Sequence, residues 1–213
     1  MKNQLIAPCS LIVALSLGLS ACISVNLGGR PPATVFMLEA PEGQMKAPAG
    51  DPRNRAVVVV PKPEVPAALA TDRIALMFEQ DRRMDYYADA KWSGKLDDLV
   101  QEFVINRAQQ KLPGTVVGKP GLASGDYRLA VKVTSLEPVY KGAADAPPRL
   151  DVEMTVTVIG LPDERVRGQF TVKKSAPASE NRLTPITAEL GKLLLSAIDE
   201  ALTRAAPQFA AAA

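Results

Sequence analysis

The stretch Leu150-Asp151-Val152-Glu153-Met154-Thr155-Val156-Thr157-Val158 alternates apolar and polar residues without a break. A period of two places Leu150, Val152, Met154, Val156 and Val158 on one face of an extended chain, with Asp151, Glu153, Thr155 and Thr157 on the other. It predicts a strand with one packed face and one wet face. Two further segments show the same period: Tyr127-Leu129-Val131-Val133 before it, and Val166-Phe170-Val172, with Gly168 in the intervening slot, after it. Their polar slots hold Arg128, Lys132, Arg165, Arg167, Gln169 and Lys173, so the three read as neighbouring antiparallel strands. The segment EPVYKGAADAPPR between the first two reads as an exposed loop.

Working outward, the period changes from two to that of a helix. Ile186, Leu190, Leu193, Leu194, Ala197, Ile198, Ala201 and Leu202 form an apolar stripe after Thr184-Pro185, predicting a capped helix over about 185–206. The last residues, 207–213, read as a disordered tail. Upstream, Leu96, Leu99, Val100, Phe103, Arg107 and Ala108 share a helical face, with Ser93 as the expected cap, Asp97 and Asp98 in the first turn and Pro113-Gly114 as the stop. Ile74, Leu76 and Phe78, then Met84, Tyr86 and Ala88, alternate around a polar EQDRR turn and predict a hairpin. The four valines of RAVVVVPKP predict a buried strand ended by proline, and TVFMLEAP a shorter strand. The expected fold is α/β (α+β): a single domain, residues 34–206, with a mixed, largely antiparallel sheet and two long amphipathic helices packed on it.

Of 213 residues, 25 are Lys or Arg, 23 are Asp or Glu, and none is His. The basic residues form no stripe, so no nucleic-acid partner is expected. The missing histidine excludes Ser-His-Asp and Cys-His nucleophilic machinery and the common zinc sites. Asp97 and Asp98 are adjacent on a helix and diverge by about 100°, which suits helix-start charges rather than a catalytic pair. Asp151 and Glu153 share a strand face with Arg128, Lys132 or Arg167 as expected cross-strand partners. No serine sits in a G-x-S-x-G elbow. The glycines at 114 and 118, and at 121 and 125, do not make the G-x-x-x-x-G-K-[ST] phosphate loop and read as turns. No catalytic residue, metal or cofactor is expected. Tyr86, Tyr87 and Trp92, clustered before the first helix, are either core anchors or an exposed contact surface.

The N-terminus carries Lys2, then an apolar run up to Cys22 with no charge before Arg30. Interrupted by Pro8 and closed by Ser20 and Ala21, it is shorter than the roughly 20 residues of a spanning helix and has the layout of an export signal over residues 1–21. Leu19-Ser20-Ala21-Cys22 resembles the lipobox of bacterial lipoproteins. That resemblance implies cleavage before Cys22, a diacylglyceryl group on its sulfur and an acyl group on its new amino terminus. Cys9 would be removed with the signal, and residues 22–33, rich in Gly and Pro, would form a tether. Under the sorting rule that this resemblance brings, Ile23 in place of aspartate favours the periplasmic face of the outer membrane over anchoring at the inner membrane.

The order lipobox, VFMLEAP, VVVVPKPEVPAAL and IALMFEQDRRMDYYADAKWSGKLDDLVQEFV resembles the ABC-type transport auxiliary lipoproteins, a family that includes the PqiC-like lipoprotein of the Pqi system. Phe36 stands where the family usually has tyrosine, and Lys91 where arginine commonly precedes the tryptophan. The resemblance implies a non-catalytic docking component that works with an MCE protein and ABC transporter subunits in moving lipid across the envelope. It leaves direct phospholipid binding and self-association open. A structural or assembly lipoprotein, of the secretin-pilot or cell-wall adaptor type, would share the anchor and the domain. Cys22→Ala is expected to move the protein from the membrane fraction to the soluble periplasm while it still folds; continued membrane retention would refute the anchor.

Overall fold

The alternation at Leu150–Val158 extends through the whole of strand β7 (Arg149–Gly160), where every second side chain from Leu150 onward is buried. The structure, a computed structural model, describes residues 32–38, 55–121, 125–142 and 145–209. The chain divides into Met1–Pro32 and Ala33–Ala213, and the strands and helices of the described residues belong to the second unit. Strand β7 pairs antiparallel with β6 (Tyr127–Tyr140) on one side and with β8 (Arg165–Pro177) on the other. Helix α2 (Leu183–Ala205) covers the buried face of this ladder.

Two register shifts correct the reading of the neighbours. The β6–β7 pairing slips between Val133 and Ser135, so the buried phase passes from odd positions (Val131, Val133) to even ones (Leu136 opposite Val152). The strand therefore continues through Glu137-Pro138-Val139-Tyr140, where a loop is expected, because a bulge reverses the parity that marks a strand in sequence. A second slip, between Val158 and Ile159, aligns Val166 with Ile159 on the outer face. Val166 is 63% exposed, not packed.

The rest of the sheet is built on the opposite edge of β6. Strand β2 (Ala56–Val59), the valine run, pairs parallel with the start of β6. The hairpin β3 (Arg73–Phe78) and β4 (Arg83–Trp92) joins its end through parallel pairing of Met77 and Phe78 with Val139 and Tyr140. Short strand β1 (Thr34–Phe36) runs parallel to the outer edge of β4. Residues Thr115–Gly118 form strand β5, parallel to β2, rather than only a turn. Four residues are too few for alternation to register, and the glycine signal belongs to Gly114, whose φ of +78° makes the turn into the strand. Among the described residues the eight strands make one mixed sheet.

The cap positions of helix α1 (Leu96–Lys111) and of α2 each lie two residues away from the expected ones. Their first non-helical residues are Lys95 and Arg182, and neither side chain caps. Ser93 instead donates its backbone N–H to the Phe36 carbonyl at 2.8 Å, so the sheet uses it. Thr184 lies inside the first turn of α2. Lys62 bridges both Asp97 (3.0 Å) and Asp98 (2.8 Å) at the start of α1. The buried arc of α1 also takes in Gln101, Val104 and Ile105, and the Gln101 amide donates to the Val60 carbonyl at 2.9 Å, fastening the helix to the end of β2. Arg107 is not a passive face residue: its guanidinium grips Asp199 of α2 through two hydrogen bonds of 2.8 and 2.6 Å. Past α2, residues Ala206–Phe209 form a 3-10 turn. Phe209 is buried edge-on against Tyr127, with ring centres 5.3 Å apart, so order extends beyond Ala206.

The core between sheet and helices centres on Leu190, Leu194, Ile198 and Leu202 of α2 against Leu129, Leu150, Met154 and Val158. Leu194→Ala removes a fully buried side chain and should cost about 2–5 kcal/mol in urea unfolding. Leu193→Ala, at a partly buried neighbour, should cost much less.

Candidate functional site

Successive residues on a strand point to opposite faces, so β4 sends Tyr86 and Tyr87 apart. The Tyr86 hydroxyl donates to the Ala68 carbonyl at 2.9 Å, and the Arg73 guanidinium lies 3.8 Å over its ring. Trp92 is 3% exposed and belongs to the core. Of the two readings, Trp92 takes that of a core anchor, and the three aromatics do not share one exposed surface.

Tyr87 leads somewhere less expected. Its hydroxyl lies 2.8 Å from that of Tyr140, and the Tyr140 hydroxyl donates to Asn181 Oδ1 at 2.8 Å. With its one proton committed to Asn181, Tyr140 accepts from Tyr87, which orders a chain Tyr87→Tyr140→Asn181. Burial pushes the Tyr87 phenol well above its ordinary value, and the bond to Tyr140 adds to that, so it stays a donor.

Tyr140 also lines a cavity of about 510 Å³ at the far end of the β6–β7 hairpin, together with Lys141, Asp145, Pro148, Arg149 and Ser175. On its floor the Arg149 guanidinium holds Asp151 at 2.8–3.0 Å and reaches Glu79 at 3.3 Å. Ser175 Oγ donates to Asp151 at 2.7 Å. Burial pushes the Asp151 carboxyl up, but the hydrogen bonds from Arg149 and Ser175 and the Arg149 charge outweigh it and leave the group below the usual range. Glu153 pairs with Lys173 at 2.9 Å on the same open face. Arg128 pairs with Glu164 and Arg167 with Asp163, not with Asp151 or Glu153 as the sequence suggests.

Glu137 stands directly across from Asp151 in the ladder and is only 5% exposed. Burial raises its carboxyl above the usual value, against the opposing hydrogen bonds from the Leu136 N–H (2.6 Å) and Ser135. Two carboxylates whose environments push them apart form the pattern of an acid–base pair. Here the Glu137 side chain turns back onto the Leu136 N–H and lines neither adjoining hollow. The arrangement satisfies and orients polar groups; it does not direct both carboxyls at a shared substrate position.

Among the described residues no three acidic or cysteine side chains converge as a metal-ligand set, and no helix is long and apolar enough to cross a membrane. Cys22 and the tether up to Pro31 lie outside the described residues. Sequence reasoning missed Tyr140, Arg149, Ser175, Asn181 and Glu137. The one local signal was a glutamate between apolar residues in LEPVY, legible as strand only once the bulge is known.

The sequence pattern of the ABC-type transport auxiliary lipoprotein component family matches residues 36–204. Protein XCC0632 from Xanthomonas campestris, a DUF330 protein, has a similar crystal structure: TM-score 0.68 and 18% identity, over 83% of this chain and 96% of that one. A second crystal structure, of an uncharacterized protein, matches with TM-score 0.65 and 16% identity, over 81% and 98% of the two chains. At such identities the likeness is one of fold. No curated protein matches the chain.

Since its carboxyl is held above the usual glutamate value of 4.5, Glu137 keeps in the folded chain a proton that the unfolded chain releases. Its contribution is full below the ordinary value and is lost as pH rises through the raised one. Glu137→Gln should therefore match the parent at low pH and melt higher than it at neutral pH, read from melting temperature against pH.

Proposed function

Because the chain belongs to the family of ABC-type transport auxiliary lipoprotein components, we propose that it is a lipid-anchored, non-catalytic docking module, held at the periplasmic face of the outer membrane through Cys22. It works there with an MCE protein and an ABC transporter in moving lipid across the envelope. The observation that carries this reading is the placement of two independent signals: a lipobox ending at Cys22, then a family match that begins at residue 36 and runs almost to the end of α2. An anchor followed at once by one folded domain is the layout of a component that is held in place to meet a partner. Several acyl chains, at about 0.8 kcal/mol per buried CH2, make such anchoring stable.

The saturation of the polar groups supports the non-catalytic part. Asp151 is taken up by Arg149 and Ser175, Tyr87 and Tyr140 by each other and Asn181, and Glu137 by the Leu136 N–H. A general base needs a lone pair within reach of a substrate proton, and these groups spend theirs on one another. Hydrolysis of ATP falls to another subunit, since the chain carries no G-x-x-x-x-G-K-[ST] loop.

Affinity capture of the intact lipoprotein from detergent-solubilised envelopes, in cells that express the transporter, should recover the MCE and ABC subunits. Recovery of neither overturns the proposed partnership.

A further inference from the structure

Beside β1 the domain keeps an apolar groove of about 510 Å³, with Val35, Phe36 and Met37 on one bank and Ala188, Gly191 and Leu195 of α2 on the other. Val35 is 52% and Met37 67% exposed; among the described residues the other large exposed hydrophobics are Val116 and Val166, one on β5 and one on β8. The floor is open at Gly191. A Cβ built there meets nothing within 4 Å, so no part of the described fold requires glycine, although glycine weakens a helix interior relative to alanine. The groove carries one charge, Lys192, and no carboxylate lines it.

The chain that leaves this groove leads to the anchor. From Thr34 back to Cys22 it can span at most about 40 Å when fully extended, a length comparable to the diameter of a domain of this size. Among the described residues strand β1 is the first strand after the anchor, and the tether can lay it against the leaflet that holds the acyl chains. We propose that the β1–α2 groove is the membrane-facing surface of the domain. Val35 and Met37 enter the boundary between headgroups and acyl chains, and Lys192 meets anionic headgroups there. The inference rests on the Cys22 anchor proposed above. Two apolar side chains and one cation bind weakly alone; a lipid tether supplies the high effective concentration that makes the contact persist. The contact fixes which side of the domain is turned away from the membrane, and so which side a partner meets.

Met37→Cys in the full lipoprotein places one free thiol at the groove, because Cys22 is acylated and Cys9 is removed. Labelled with an environment-sensitive fluorophore and reconstituted in phosphatidylcholine–phosphatidylglycerol vesicles, it should shift to the blue and be quenched by lipids spin-labelled near the headgroup. The same label at Val166→Cys should remain water-like, and Lys192→Glu should lower quenching at position 37 more than twofold. Adding Cys22→Ala should abolish the quenching. Vesicle-bound protein with equal, water-like labels at both positions overturns the groove while leaving the anchor. Failure to bind vesicles overturns both. Shielding at position 37 without quenching assigns the groove to a second copy of the chain and overturns the membrane contact.

Discussion

The β6–β7 ladder must hide one face. Its buried side is a continuous row of Leu, Val and Met from both strands, and water cannot be allowed on it without losing roughly 25 cal/mol for each Å² exposed. Helix α2 answers that requirement, with Ile186, Leu190, Leu194, Ile198 and Leu202 at helical spacing over the same surface. The other elements take their places from this pairing. β6 is longer than either of its partners on the far edge, so β2 and the β3–β4 hairpin occupy it in tandem, and β1 and β5 extend the sheet beyond them.

The bulge at Val133–Ser135 has consequences beyond geometry. By reversing the inward parity it turns Glu137 to the same face as Asp151 and leaves Tyr140 where it can meet Tyr87, Asn181 and the cavity at the hairpin's end. One extra residue in β6 thus brings Glu137 and Tyr140 to a polar cluster whose other members sit on β7, β8 and the end of β3. Its members then neutralise each other: Arg149 between Asp151 and Glu79, Ser175 on Asp151, Lys173 on Glu153. A cluster so closed ties β7 to the end of β3 and to β8 at this end of the sheet.

Much of this was legible in advance, and the reason differs by element. Strands β6 and β7 and helix α2 carry a period that only one secondary structure satisfies, so their existence could be read from the alternation at Leu150–Val158 and from the α2 stripe. Their ends could not. The caps at Ser93 and Thr184 obeyed local rules but lost to the sheet, which claimed Ser93, and to α2, which began before Thr184. Trp92, legible only as an aromatic before a helix, went to the core.

By itself the sequence determined the one-sided strands, the helix periods, the lack of histidine chemistry and the resemblance of Leu19–Cys22 to a lipobox, because each is a matter of local period or residue type. Only the tertiary structure decided the parity changes in β6 and β8, the pairing of Arg128 and Arg167 away from Asp151, the burial of Glu137 and the open groove at Gly191. Those features arise where residues far apart in the chain compete for one neighbour. No local spacing records the outcome, since register and packing are settled between strands and not within them.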